Sequence, residues 1–253
     1  MCEFTKAVDT NRCRLCLEVR PLCDSHILPE FFYERMGMYD EDHTYNIYTA
    51  NPVKHTLQRR KGIYERLLCK ECEERFSALE SYAALVIFGD ATGKIGFHHT
   101  PLPRWFLVEG IDYVRFKLFQ MSLLWRVAVS SRPELGTINL GPHREILRKM
   151  LLDGNPGDPH EYGCIMAAMA LPQGHEVLRK PLMPIRPIDK KLNGHQMYVG
   201  QFGGMLWSWL VSSHAASFGH PEFFLGADGT LRIVRLSEEV AESYKRWLRD
   251  FPV

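Results

Sequence analysis

With 253 residues, 45% of them apolar and 24% charged, the chain has the composition of a folded protein and the length to bury a sizeable core. Its formal net charge of +1 excludes a molecule whose whole surface attracts nucleic acid, so any such surface must be local. The longest apolar runs, Ile165–Leu171 and Leu206–Val211, are far shorter than a bilayer span, and the opening MCEFTKAVDTNR has no apolar signal core, so a cytoplasmic protein is expected.

In chain order, residues 1–12 read as a polar lead-in and 13–30 as a metal-binding knuckle running into a short hairpin. Residues 31–62 are expected to be irregular, because Gly37, Asp40, Asp42, Asn51 and Pro52 interrupt any long element. From Tyr64 to about Phe88 the pattern is helical, with Phe76, Leu79, Tyr82, Ala83 and Val86 recurring at spacings of three and four. The Gly-rich GDATGKIG at 89–96 is taken as a domain boundary. Beyond it, Tyr113–Ser130 reads as a helix apolar around most of its circumference, and His143–Leu152 as a second helix entered through Gly141 and Pro142.

Turn chemistry at 153–160 gives way to expected strands at Tyr162–Leu171, Met197–Phe202 and Met205–Val211. A hairpin follows in which FFLG and TLRIVRL flank Ala227-Asp228-Gly229, and an amphipathic helix at Glu238–Arg249 closes the chain. The expected fold class is therefore α+β: a zinc-knuckle module over 1–90, then an α+β accessory or partner domain over 91–253.

Seven cysteines occur, at 2, 13, 16, 23, 69, 72 and 164. The odd count argues against a disulfide framework, while Cys13-x2-Cys16 and Cys69-x2-Cys72 supply the four sulfurs that tetrahedral structural zinc takes. Unbound thiols or a redox pair are the alternatives. Cys23 is read as a core residue or a fifth thiolate.

The residues Cys13-x2-Cys16, Ser25-His26-Ile27-Leu28-Pro29, Leu68-Cys69-x2-Cys72-Glu73 and Glu80 resemble, over 13–82, the zinc-knuckle branch of the HNH (ββα-metal, treble-clef type) endonucleases. The resemblance implies an N-terminal HNH-like nuclease module in which His26 is the general base that takes a proton from water. It also implies one divalent ion, Mg²⁺ or Mn²⁺, held by oxygen ligands, with Asp24 and Glu80 as its candidates and Glu73 as a further catalytic carboxylate. Two positions depart from the family pattern. Ser25 stands where an acidic residue usually precedes the histidine, and Glu73 stands where Asn or His follows the second knuckle. Glu73 and Glu80 are seven apart, so a helix carries them on one face. Alternatively, Glu73 simply faces the positive end of a helix.

Lys54, Arg59, Arg60 and Lys61 form a basic stretch that would contact phosphates without reading bases, or else a solvated loop. The implied substrate is DNA, with RNA as an alternative, and the implied setting is a bacterial or phage genome-conflict (antiviral defence) system with an activating protein partner. The competing reading is a catalytically degenerate, zinc-stapled adaptor of the same fold. Arg126, four residues after Ser122 on one face of a hydrophobic helix, needs an acceptor such as a carboxylate or phosphate, a structural ion pair being the expected one. His98, His99, His143, His195 and His214 show no ligand spacing.

Overall fold

The computed structural model describes residues 12–35, 44–47, 57–60, 62–89, 92–99, 105–132, 138–169, 183–187, 194–212, 220–236 and 239. The N-terminal part is built from strand β1 (Leu22–His26), a short helix α1 (Glu30–Arg35), a small hairpin of β2 (Thr44–Ile47) and β3 (Leu57–Arg60), strand β4 (Tyr64–Cys69) and helix α2 (Lys70–Phe88). β1 and β4 pair antiparallel, with His26 opposite Tyr64 and Leu22 opposite Cys69.

Two expectations change here. The helix expected from Tyr64 starts at Lys70. Tyr64–Cys69 is extended because its backbone pairs with β1, a long-range demand that outweighs local periodicity. Residues 31–62, expected to be irregular, contain α1 and the β2–β3 hairpin.

Among the described residues, the remainder forms one seven-stranded sheet and two α-helices: β5 (Gly96–His99), β6 (Trp105–Glu109), α3 (Tyr113–Val129), α4 (His143–Asp153), β7 (Cys164–Met169), β8 (Met183–Pro187), β9 (Gln196–Phe202), β10 (Met205–Val211) and β11 (Leu231–Leu236). The strand order is β5-β6-β11-β7-β10-β9-β8, antiparallel except for the β11–β7 pair. The hairpin expected from FFLG and TLRIVRL does not form. Pro221–Phe223 is a single 3₁₀ turn, and β11 instead pairs with β6 and β7. The expected closing helix at 238–249 lies outside the described residues apart from Glu239. Architecture throughout is α+β.

Helix α3 explains how the parts hold together. Asp112 caps it, its side chain accepting from the Arg115 N–H at 3.0 Å, and every residue from Phe116 to Val127 is buried. A helix buried on all sides must be covered on all sides. Trp125 meets Phe76 of α2, Phe119 meets Phe31 and Phe32 of α1, and the same Phe119 meets Trp207 of β10.

Phe32 also packs on Phe202 and Trp207, against a turn where Gly203 has φ +62° and a Cβ would lie 2.6 Å from the Phe32 ring. Only glycine suits that backbone and that approach. One core cluster consequently contains Cys13 and Phe32 as well as Trp209 and Ile233. Among the described residues, no helix is long and apolar enough to cross a membrane.

Candidate functional site

The first knuckle is a tight loop. Arg12 bridges to Val19, the Cys13 N–H donates to the Glu18 carbonyl at 2.9 Å and the Leu17 N–H to the Cys13 carbonyl at 2.9 Å, with Leu17 at φ 64°. The Arg14 N–H donates to the Leu67 carbonyl at 3.0 Å, which brings this loop against the end of β4, where Cys69 begins α2 and Cys72 occupies its first turn.

The sulfurs of Cys13, Cys16, Cys69 and Cys72 all lie within 4.8 Å of one another, and Cys16 and Cys69 are 3.8 Å apart. A Zn–S bond of about 2.3 Å in a tetrahedron sets neighbouring sulfurs about 3.8 Å apart, so the donor set fits zinc. These four cysteines form a cluster able to hold a metal ion such as zinc.

The electrostatics agree with a cation site. Burial pushes the Cys69 thiol up to about 11 and raises Cys72 further, the charge of Cys13 adding to the effect. At Cys13 burial also acts upward, but backbone N–H groups of Cys69, Cys16 and Leu15 outweigh it and the net shift is downward. Four crowded thiols cannot all ionise without a compensating ion, and a metal ion such as zinc would supply that charge.

Beside this centre lies a second polar cluster, at the seam between β1, α2 and α3. Ser25 is fully buried, and its hydroxyl donates to Glu73 Oε2 at 2.6 Å and accepts from the Leu68 N–H at 3.2 Å. Glu80, two helical turns beyond Glu73, accepts from Arg126 Nη1 at 2.6 Å, and the same nitrogen donates to the carbonyl of His26 at 2.8 Å.

Burial raises the Glu73 carboxyl. The Ser25 hydroxyl and the charges of Arg126 and His26 oppose that shift, and Glu80 reinforces it. His26, Glu73, Glu80 and Arg126 thus form one interacting group. The His26 ring meets Tyr64 edge-on, with centroids 6.4 Å apart. It also lies against Gly62, where a Cβ would come within 3.1 Å of His26 and 3.0 Å of Tyr33.

The structure does not bring Asp24 into this group. Asp24 is exposed beside Arg66, 3.9 Å from its Nε. Arg59 and Arg60 lie on β3 opposite Tyr45 and Thr44, while Lys54 and Lys61 fall outside the described residues.

Arg126, Gly62 and Tyr33 join the site without having been assigned to it from sequence. For Arg126 the signal existed, since a cation in so apolar a helix demands an acceptor, and that acceptor is Glu80. Searched against protein-family models, curated proteins and solved structures, the chain matches none.

Proposed function

We propose that the chain is a metal-dependent nuclease of the HNH type, hydrolysing phosphodiester bonds of DNA. One observation carries this reading: the end of β1 and the carboxylates of α2 are tied together beside the four-cysteine cluster, Ser25 bonding Glu73 and Arg126 bonding both Glu80 and the backbone carbonyl of His26.

In this reading zinc is structural and fixes β4 and α2 relative to the first knuckle. His26 is the general base, since an imidazole exchanges a proton with water near neutral pH. Ser25 orients the Glu73 carboxylate through the 2.6 Å hydrogen bond. Glu73 and Glu80 are the hard-oxygen donors that would hold Mg²⁺ or Mn²⁺. Their fit rests on donor chemistry alone: both offer carboxylate oxygens, Glu73 beside the Ser25 hydroxyl and Glu80 beside Arg126. When bound, such an ion stabilises charge on the phosphate and on the leaving oxygen. Arg59 and Arg60, carried on a hairpin between β1 and β4, would contact backbone phosphates.

A second reading has its own support. The Glu80–Arg126 ion pair and the exposed position of Asp24 suit a zinc-stapled adaptor that has given up its catalytic ion. The two separate in a plasmid-cleavage assay with zinc-loaded protein. Nicking that appears with Mg²⁺ or Mn²⁺ and stops on chelation supports the nuclease. Intact plasmid at all divalent-ion concentrations, with zinc bound and the chain folded, supports the adaptor.

A further inference from the structure

Three of the four clustered cysteines, Cys13, Cys69 and Cys72, are buried, whereas Cys16 is partly exposed. A small molecule approaching the cluster from solvent therefore meets the Cys16 sulfur first. A cation stands beside it. Arg148 of α4 donates from Nη1 to the Leu15 carbonyl at 2.5 Å, and its guanidinium charge acts on Cys16. Glu145 grips the same guanidinium at 2.7 and 2.8 Å, which fixes it in place.

Cys16 also has a second sulfur at contact distance, Cys69 Sγ at 3.8 Å. Cys13 is close as well, but its sulfur accepts from the backbone N–H groups of Cys69, Cys16 and Leu15, whereas that of Cys69 accepts from the backbone of Cys72 alone. Hydrogen bonds engage the lone pairs a sulfur needs for attack, so Cys69 is the freer nucleophile of the two. A solvent-accessible cysteine beside a cation, with a resolving cysteine in contact, is the arrangement of an oxidation-sensitive thiol.

We propose that the four-cysteine cluster is a peroxide-sensitive centre, at which Cys16 and Cys69 close a disulfide and the metal is released. The Cys16 thiolate attacks one oxygen of hydrogen peroxide and breaks the O–O bond, becoming a sulfenic acid as hydroxide departs. The Cys69 thiolate then attacks the Cys16 sulfur, forming the S–S bond and expelling a second hydroxide. Two thiolates lose two electrons, the peroxide gains them, and two protons from solvent complete two waters. Cys13 and Cys72 alone are too few ligands to retain zinc tightly. A metal staple is thereby exchanged for a covalent one between residues 53 apart, at the junction of β4 and α2. The proposal rests on zinc binding by the four cysteines and is independent of the nuclease reading.

The test treats the zinc-loaded full chain with hydrogen peroxide, follows zinc release with a chromogenic chelator and maps disulfides by peptide mass spectrometry. Loss of the zinc is expected in step with a Cys16–Cys69 linked peptide, both reversed by a dithiol in the presence of zinc. Zinc retained at peroxide concentrations that oxidise Cys23, the other partly exposed cysteine among the described residues, overturns the proposal. Release accompanied by a different pairing, Cys13–Cys16 or Cys23–Cys69 included, overturns it too, as does a chain that takes up no zinc.

Two further measurements separate this site from general oxidation. Cys23→Ser is expected to release zinc at the wild-type rate, and a severalfold slower release would move the sensing thiol to Cys23 and overturn the assignment. The oxidised, zinc-free wild type should melt above the chelator-stripped, reduced chain, because the cross-link restrains the unfolded state. Equal melting temperatures would contradict the exchange of one staple for the other.

Discussion

The Ser25 hydroxyl donates to Glu73 and accepts from the Leu68 N–H, so one buried atom joins β1, β4 and the first turn of α2. Replacing it with alanine leaves a buried N–H and a largely buried carboxylate each short of a partner. Ser25→Ala is therefore expected to lower stability by about 1–3 kcal/mol. Urea denaturation of the zinc-loaded protein measures this, and a change within a few tenths would show that water replaces the hydroxyl.

The four-cysteine centre holds the start of α2 to the first knuckle, and both lie in the common core. Purified protein is expected to contain one zinc per chain. Cys72→Ser should lose most of that metal and lower the melting temperature of the whole chain, because metal-binding free energy becomes folding free energy. Elemental analysis and calorimetry on the same preparation check both parts.

The domain boundary expected at 89–96 raises a separate question, because Phe32 packs on Phe119, Phe202 and Trp207 from the far part of the chain. Phe32→Ala is expected to cost about 3–5 kcal/mol. Unfolding should remain a single transition at lower temperature. Two separate transitions in the wild type would show that the core does not couple the two parts.

Lys117 gives a pH test away from any metal. Its Nζ donates to the Pro159 carbonyl at 2.9 Å, and burial lowers its pKa from 10.5 to about 8. A depressed pKa means the unfolded chain holds the proton more tightly. Its contribution to stability is then full above 10.5 and is lost as pH falls through about 8. Lys117→Met removes this dependence. The stability of the variant relative to the wild type should be greatest near neutral pH and should fall between pH 8 and 10. A constant difference across that range would show that Lys117 is not buried as a cation.

How far the sequence discloses the molecule follows from the range of the interactions involved. The knuckles are local spacings and were legible, and the sulfurs do cluster. α3 and α4 were legible because periodicity and capping are local too. β4 was read as helix because its conformation depends on β1, which lies some forty residues earlier. β5, β6 and β8 were missed, and the partner strand of β11 was misassigned, since pairing across a sheet leaves little trace in either segment. At the polar cluster, Asp24, a candidate ion ligand from the resemblance, lies exposed beside Arg66, a placement that no residue pattern announces. Ser25, which looked like a vacancy in a family pattern, is the buried contact that holds Glu73.

The central claim is that His26 acts as a base on water at a phosphodiester. The most direct measurement is the rate of duplex DNA cleavage by wild type and His26→Ala, both with zinc content measured and with saturating Mg²⁺ or Mn²⁺. The account predicts metal-dependent cleavage by the wild type that falls about a hundredfold or more in the variant while zinc stays bound. Cleavage undiminished in His26→Ala, or absent from a folded, zinc-loaded wild type with the divalent ion bound, would contradict it.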